Sequence, residues 1–466
     1  MRAGQTGTTS IHQIVSKDRA TRGSPGLLAG ATVAIAVPAI LLLPAFWNGY
    51  ALLQYDTGGY LARWYEGYLV PSRSTTYGIY LHVGEATHFW GTLVVQAMAT
   101  LWLLQATMRA FGLTRPAQVA MVAIGLAATT ALPFLTSLLL TDIFAGLGVL
   151  SLFLLVVHGG RFDISERIML LVFTAFAAAT HSATLGVLAG LCVAGFVAWP
   201  WCRGRLRLSG LAQGTLALAL GAAMLVATNY ALSGKVAWTP GGASIAFGRM
   251  LQDGLVARYL NDHCGREPYK LCPHRNSLPP TGDDFLWGKS VFNELGRFEG
   301  LGDEMAAIAG RSLIAYPGAQ AAAALRATAQ QLVMVATGEG SHNWLAHTWG
   351  IFERFLPQEL PAMRAARQQN NELGFTTINL IHVPVALVSM LAVVALLIHA
   401  AWRGRFDDLT LFAAVVALAL IGNAFLCGAL SGPHDRYGAR MVWIATFVVL
   451  LAVARRLARR RPLRPA

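Results

Sequence analysis

The 466-residue chain is 55% hydrophobic and only 13% charged, with a mean hydropathy of +0.50. Soluble domains carry about 25% charged residues, so this composition excludes a soluble protein and predicts a polytopic α-helical membrane protein. The net charge is +13. The basic residues are sparse in the short outer loops and more numerous in the cytoplasmic segments, as the positive-inside bias requires. No basic patch is interleaved with stacking aromatic side chains, so we expect no nucleic-acid partner.

Ten apolar stretches are predicted to span the membrane, with both termini on the cytoplasmic side. The fifth is short at 13 residues, against the about 20 that a spanning helix needs, so the fifth and sixth spans are the least secure. The predicted spans are 27–46, 89–109, 118–135, 136–157, 168–180, 183–199, 211–232, 377–402, 409–426 and 439–454.

The spans divide the chain into membrane modules and a large outer region. The predicted segments are a cytoplasmic tail (1–25), an N-terminal transmembrane module (26–232) with its first outer loop at 47–88, an outer region (233–376), a C-terminal transmembrane module (377–454) and a basic cytoplasmic tail (455–466).

The outer region has two parts. The polar, turn-rich stretch 235–302 predicts a small folded lid. The Ala-rich stretch 303–336 is broken by Pro317 and carries Arg311 and Arg326. Because a charge at the bilayer centre costs about 2.5–3.5 kcal/mol, we predict two amphipathic surface helices here and no span.

The first outer loop carries Asp56 directly after the first span. A helix is predicted to follow and to lie flat in the headgroup layer, since its rings recur every fourth residue and its charges lie opposite. Periodicity leaves open an ordinary interfacial helix; the alternative is a carboxylate held at the membrane surface for chemistry on a lipid-linked substrate. The rings are Tyr60, Trp64 and Tyr68, and the charges are Arg63 and Glu66.

Three further polar residues stand out along the chain. Asp142 lies in the fourth span, about two turns below its outer end, and an ionisable residue there is a functional hypothesis; the alternative is a carboxylate capped by Thr141 or paired with an arginine. Arg73 faces either the Asp56 carboxylate or a phospholipid. His181 lies at the turn between the fifth and sixth spans, where it is either structural or substrate-binding.

The last outer loop holds four consecutive polar residues, more than a turn needs, although an Asp–Arg pair there can also be structural. They are His434, Asp435, Arg436 and Tyr437.

Cys264 and Cys272 lie close together in the outer region and favour a disulfide in an oxidising compartment. Zinc is the alternative, because His263 and His274 flank the two cysteines.

Several short stretches resemble the GT-C superfamily of membrane glycosyltransferases, which use polyprenyl-phosphate sugars. They are Asp56 with Tyr60 followed by the turn PSRSTTYG, the run LTSLLLTDIFAGLGVLSLFLL around Asp142, the stretch RSLIAYPGAQAAAALRATAQQL, and the ending DRYGARMVW. The resemblance implies an all-α GT-C-like fold in a bacterial inner membrane. It also implies transfer of a sugar from a polyprenyl-phosphate carrier to an envelope glycan, lipid or protein on the outer face.

The same resemblance implies roles for the outer residues. Asp56 would be the base or the acceptor-orienting carboxylate, and Asp142 would support it. The donor phosphate would be held by cations without a metal or other cofactor. The expected substrate-binding residues are Arg73, His181, His434, Asp435, Arg436 and Tyr437.

Two other classes of protein stay open. A transporter or lipid flippase would use polar residues within the spans, such as Asp142 and Asn423. A scaffold could keep the fold without the chemistry. No Walker loop, dinucleotide-binding fingerprint, zinc-protease motif or GxSxG motif occurs, which disfavours an ATP-driven pump.

Overall fold

The computed structural model describes residues 25–67, 69–238 and 241–460. Residues 1–24 and 461–466 of the two predicted tails, and Tyr68 of the predicted aromatic face, lie outside the described residues. The structure is 78% helical, and the described ranges contain no strand. The predicted all-α class is therefore confirmed.

The described part of the N-terminal module contains eleven α-helices: α1 Pro25–Leu41, α2 Leu43–Asn48, α3 Thr57–Glu66, α4 Thr75–Gly84, α5 Trp90–Ala110, α6 Pro116–Thr129, α7 Leu132–Thr136, α8 Asp142–His158, α9 Ile164–Thr180, α10 Ser182–Cys202 and α11 Leu208–Ser233.

The outer region follows with α12 Gly242–Gln252, α13 Leu255–His263, α14 Gly282–Leu286, α15 Val291–Glu294, α16 Arg297–Ala315, α17 Pro317–Val333, α18 Ala346–Phe355 and α19 Leu360–Ala365. The C-terminal module consists of α20 Phe375–Arg403, α21 Asp408–Ala424 with a π-helical turn at Phe425–Ala429, and α22 Asp435–Arg460.

Seven helices in the described ranges are long and apolar enough to cross a membrane, as expected for a helical membrane protein. They include α5, α8, α10, α11, α20, α21 and α22. The other three predicted spans coincide with α1, α6 and α9, which have 17, 14 and 17 residues. These are shorter than the about 20 residues of a full span, so the count of ten stays a prediction.

The outer region contains a second hydrophobic core, separate from that of the helix bundle. It runs from Phe247 to Ala323 and is built on fully buried aromatic side chains such as Phe285 and Phe292. A disulfide joins Cys264 to Cys272 at its edge, the two cysteines that the sequence pairs. We call residues 247–323 the outer subdomain.

The Ala-rich stretch forms two helices, as predicted. α16 ends at Ala315 and α17 begins at Pro317, because proline is tolerated in the first turn of a helix but not in its interior. Neither helix is among those apolar enough to span.

The prediction that Asp142 lies two turns inside a spanning helix is wrong. Asp142 is the first residue of α8, and the preceding backbone pairs with the first outer loop. The N–H of Leu52 donates to the Ser137 carbonyl at 2.9 Å, and the N–H of Leu139 donates to the Leu52 carbonyl at 3.0 Å. This backbone pairing replaces the helix that the apolar run suggests.

The prediction that α3 lies flat with rings down and charges up is also wrong. Tyr60 is buried, and the Arg63 side chain is fully buried within the protein. The Arg63 guanidinium donates to Asn229 Oδ1 at 3.1 Å and to the Val70 carbonyl at 2.7 Å. Local periodicity misses these partners because Asn229 is distant in sequence.

Loss of the disulfide should destabilise the outer subdomain. Its two cysteines lie eight residues apart, and closing so short a loop contributes about 2–3 kcal/mol on the chain-entropy account. The double variant C264S/C272S should therefore be cleaved in the outer subdomain at lower protease concentration. Cys202→Ser, which changes an unpaired cysteine, is the control, and equal protection of the two variants would contradict the prediction.

Candidate functional site

The loop that carries Asp56 is held in place by buried hydrogen bonds. The Asp56 N–H donates to Gln54 Oε1 at 2.8 Å, and the Thr57 hydroxyl donates to the Leu139 carbonyl at 3.0 Å. The next amide, of Gly58, donates to Thr348 Oγ1 at 3.0 Å. Aspartate is a favoured helix N-cap, yet the Asp56 carboxylate caps no N–H of α3 and is left to face other side chains.

Arg73 reaches this carboxylate from the turn between α3 and α4, and the two side chains form an ion pair. Its guanidinium lies 5.8 Å from the centroid of the Tyr60 ring. Gly59 makes the approach possible, because a Cβ there would lie 3.3 Å from Arg73 Nε. The expectation that Arg73 faces the acid of the first loop is met.

Arg436 reaches the same carboxylate from the first turn of α22. Its Nη1 lies 2.9 Å from Asp56 Oδ2, and its Nε lies 3.3 Å from Asp142 Oδ2. Arg440, one turn later on the same face, lies 3.5 Å from Asp142 Oδ1. α22 therefore supplies two cations to two carboxylates from different parts of the chain.

The result is a chain of alternating charges that runs inward from the surface. The exposed fraction of the side chains falls from 18% for Arg73 through 13% for Asp56 and Arg436 to 1% for Asp142 and 0% for Arg440. We call these five residues the charge ladder. Buried charges persist only when they are paired, so each member depends on its neighbours.

Close helix packing brings α8 against α22 at this depth. Gly146, one turn beyond Asp142, faces Trp443, and a Cβ on Gly146 would lie 2.7 Å from the indole ring. Any larger side chain at this position would separate the two helices and move Asp142 away from Arg436 and Arg440.

The inner end of the ladder rests on Asn423. Arg440 donates from Nε and Nη2 to Asn423 Oδ1, at 3.1 and 2.8 Å. The Tyr437 ring lies beneath both guanidinium groups, at 5.0 Å from Arg436 and 5.3 Å from Arg440, a cation–π arrangement that adds to their stabilisation.

The loop before α22 is fixed by α17 and the segment after it. The His434 N–H donates to Gln331 Oε1 at 2.9 Å, and Gln331 Nε2 donates back to the His434 carbonyl at 2.8 Å. Asp435 Oδ1 accepts from the Ala336 N–H at 2.9 Å. Asp435, predicted to bind substrate, therefore holds the loop and is not part of the ladder.

Glu339 joins the loop to the ladder. Its carboxylate accepts from the Arg436 N–H at 2.8 Å and lies 2.8 Å from His434 Nδ1. The Glu339 hydrogen bond raises the pKa of His434 against the opposing effect of burial, so the imidazole is favoured in its charged form. Burial alone would raise the pKa of Glu339, but the hydrogen bonds from His434 and from the Arg436 amide lower it.

The electrostatics of Asp56 are set by its two arginines. Burial alone would raise the pKa of this carboxyl, but the guanidinium groups of Arg73 and Arg436 outweigh burial and hold the pKa at about 2. At neutral pH Asp56 is therefore a fixed anion and a weak proton acceptor in this arrangement.

Asp142 has unused hydrogen-bonding capacity. Neither of its carboxylate oxygens has a hydrogen-bond partner among the described residues, although two guanidinium groups lie near it. A cavity of about 30 Å³ adjoins it, lined also by Glu339, Arg436 and the apolar residues Phe134 and Phe375. That volume suffices for about one water molecule and is too small for a sugar.

The structure therefore brings together Asp56, Arg73, Asp142 and Arg436, with His434 and Tyr437 at their edge. His181 lies at the turn between α9 and α10 and accepts from the Ala183 N–H at 3.2 Å. No hydrogen bond or ion pair joins His181 to Asp56 among the described residues.

Sequence reasoning missed Arg440 and Glu339. An arginine within the apolar stretch of α22 is itself a signal, since such charges are costly unless they are paired. Glu339 carries no comparable signal, because its role depends on a contact with residues about a hundred positions away.

No family model, no curated protein and no solved structure matches this chain. The resemblance to the GT-C superfamily therefore rests on the residues alone. Among the described residues, no group of three or more His, Cys, Asp and Glu side chains could hold a metal ion.

Acid should weaken the fold through Asp56. Because its pKa is about 2 in the fold against 3.8 in the unfolded chain, the ionised carboxylate stabilises the fold above about pH 4. That contribution, about 2 kcal/mol, should be lost as the pH falls from about 4 to about 2. The difference in unfolding temperature between the wild type and Asp56→Asn should narrow over this range, whereas the difference for the exposed control Asp303→Asn should not.

Arg436 should be the most sensitive member of the ladder, because its removal leaves two buried carboxylates short of a partner. Arg436→Gln should lower the free energy of unfolding by about 3–5 kcal/mol. The control is Arg354→Gln, whose side chain is 68% exposed and pairs with Glu66; such surface pairs contribute about 0–1 kcal/mol. Thermal unfolding in detergent micelles measures both, and similar shifts in the two variants would refute the argument.

Proposed function

We propose that this protein transfers a sugar from a polyprenyl-phosphate carrier to an envelope acceptor on the outer face of a bacterial inner membrane. The observation that carries the proposal is the convergence of Asp56, Arg73 and Arg436 in one buried cluster. The first outer loop supplies Asp56 and Arg73, and the first turn of α22 supplies Arg436. The resemblance to the GT-C superfamily supports the same conclusion.

The arginines suit a phosphate. A guanidinium presents paired N–H donors that match phosphate oxygens, and Arg73 and Arg436 both direct such donors at one carboxylate. The donor phosphate takes the place of the Asp56 carboxylate on these two cations. Asp56 is thereby released, and its pKa rises because the charges that lower it are now engaged by the phosphate.

The released carboxylate then serves the acceptor. Asp56 accepts a hydrogen bond from the acceptor hydroxyl, whose oxygen attacks the anomeric carbon of the sugar. The bond between that carbon and the phosphate oxygen breaks, and the polyprenyl phosphate leaves with the electron pair. The hydroxyl proton passes to Asp56, and Arg73 and Arg436 stabilise the charge on the leaving phosphate.

Exposed aromatic side chains on the Asp56 loop and on the segment that contacts this loop suit a sugar acceptor. Tyr55 is 51% exposed and its hydroxyl lies 2.6 Å from His342 Nε2. Trp344, in the same segment as His342, is 60% exposed and packs against Trp349 at 4.8 Å between ring centroids. Exposed rings of this kind give the apolar face of a sugar a surface to pack on.

A non-catalytic scaffold is the second candidate, and the charge balance favours it. Arg73, Arg436 and Arg440 face Asp56 and Asp142, while Glu339 binds the backbone of Arg436. His434, charged beside Glu339, adds a fourth cation, and Asp283, 3.5 Å from His434 Nε2, adds a fourth anion, so the charges of the cluster sum to zero. The adjoining cavity is also too small for a sugar, so catalysis requires the phosphate exchange described above.

Asp56→Asn should abolish transfer without preventing membrane insertion. The assay uses purified protein in proteoliposomes, a panel of tritiated polyprenyl-phosphate hexoses and pentoses, and an envelope extract as acceptor. Label leaving the organic-soluble fraction measures transfer. We expect a loss of at least about 100-fold, against an unchanged rate for Asp303→Asn.

The same assay separates the candidates. Equal transfer by wild type and Asp56→Asn would remove Asp56 from the mechanism. Absence of transfer with every donor would support the scaffold, and movement of labelled donor across the bilayer without transfer would support the flippase.

A further inference from the structure

A second polar cavity lies at the opposite end of the helix bundle from Asp56. It measures about 340 Å³ and lies where α8 ends and α9 and α11 begin. α8 starts at Asp142 and ends at His158, so its 17 residues separate the two sites by about 25 Å. The topology predicted from the sequence places this end on the cytoplasmic side.

The lining of this cavity is strongly basic. Four arginines and one carboxylate contribute to it, for a net charge of three positive. Asp408 lies 3.2 Å from one arginine and 3.3 Å from another, so it offsets only part of the charge. The arginines are Arg161, Arg167, Arg205 and Arg207.

A buried histidine in the lining lacks a partner. His158 is 3% exposed, and its Nε2 has no hydrogen-bond partner among the described residues. The rings of Phe111 and Phe153 hold its imidazole edge-on, at 5.6 and 5.3 Å between centroids. Arg167 Nε is likewise buried without a partner. Each unsatisfied buried group costs about 1–3 kcal/mol, a cost that hydrogen bonds to a bound ligand would remove.

The start of α11 closes one wall. Ser209, Gly210 and Gln213 line the cavity, so the positive end of this helix dipole faces into it. Gly210 allows the closure, because a Cβ there would collide with the Val156 carbonyl oxygen of α8. The cavity wall is therefore made by direct backbone contact between two helices.

We propose that this cavity binds a phosphate group, carried either by an anionic phospholipid or by a soluble phosphate ester. Planar guanidinium groups bind phosphate oxygens in pairs, and the volume accommodates a glycerophosphate headgroup. In the first turns of α9, which also carry the lining residue Arg167, Ile164 and Ile168 are 66% and 56% exposed and give an acyl chain an apolar surface. Basic pockets between membrane helices on the cytoplasmic side bind anionic headgroups in this way.

The positive-inside bias alone does not account for this site. That bias concerns the number of basic residues on one side of the membrane. It requires neither their convergence on one cavity nor a buried histidine without a partner. The site uses no residue of the charge ladder, so the proposal is independent of the proposed sugar transfer.

The test compares two double variants of the full chain purified in detergent. R167Q/R207Q removes two charges from the cavity. R403Q/R456Q removes two exposed charges outside the cavity, in the last turns of α20 and α22. Native mass spectrometry counts bound phosphatidylglycerol against phosphatidylcholine, and calorimetry measures binding of inorganic phosphate and of glycerol 3-phosphate.

The three phosphate probes are phosphatidylglycerol, inorganic phosphate and glycerol 3-phosphate. In R167Q/R207Q, the affinity for at least one of them should fall about tenfold for each arginine removed. In R403Q/R456Q, the same affinity should stay within about twofold of the wild-type value. If the wild type binds phosphatidylglycerol but neither soluble phosphate, the ligand is a lipid. If it binds the soluble phosphates but does not prefer phosphatidylglycerol, the ligand is soluble. The proposal would be overturned if the two double variants lost affinity equally. It would also be overturned if the wild type bound phosphatidylglycerol no better than phosphatidylcholine and bound neither soluble phosphate. The single variant Arg207→Gln, which changes an exposed side chain, repeats the test if the double variant unfolds.

Discussion

The structure around the candidate site depends on pairing five charges that alternate in sign from the surface inward. Burying an ion without a partner costs several kcal/mol, and the ladder ends on an arginine with no exposed surface. Asn423 and the Tyr437 ring complete the surroundings of that arginine. Apolar side chains of similar size would avoid the cost of burying ions, so stability alone does not explain these five charges.

Helix packing and backbone pairing hold these charged side chains at fixed distances from one another. Gly146 sets the distance between α8 and α22, and Gly59 leaves space for Arg73 against α3. The pairing of Leu52 with the backbone before α8 fixes the Asp56 loop to the same helix that carries Asp142. This backbone pairing fixes the Asp56 loop relative to the start of α8, whereas Arg73 and Arg436 come from different segments.

Much of the helical framework could be predicted from the sequence, because apolar stretches of about 20 residues have few alternatives in a bilayer. The pairing of Asp56 with Arg73 was also accessible, since both lie in one loop. The start of α8 at Asp142 was not, because the apolar run before it looks continuous and the pairing with Leu52 is long-range. Burial of Arg63 was missed for the same reason, since Asn229 approaches it from α11.

The placement of the ladder also indicates which parts can move. In the membrane-spanning part of α8, 83% of the residues are buried. This helix therefore cannot shift without disturbing neighbours on every side. The two outermost members, Arg73 and Asp56, instead sit on connections between helices, and the connection that carries Arg73 contains a residue with positive φ, Ser72 at 59°. Such conformations persist only where surrounding contacts impose them. Exchange of a ligand for Asp56 would therefore move Arg73 and the loop contacts first, while Asp142 and Arg440 stay fixed as the counter-charges against which Arg436 is held.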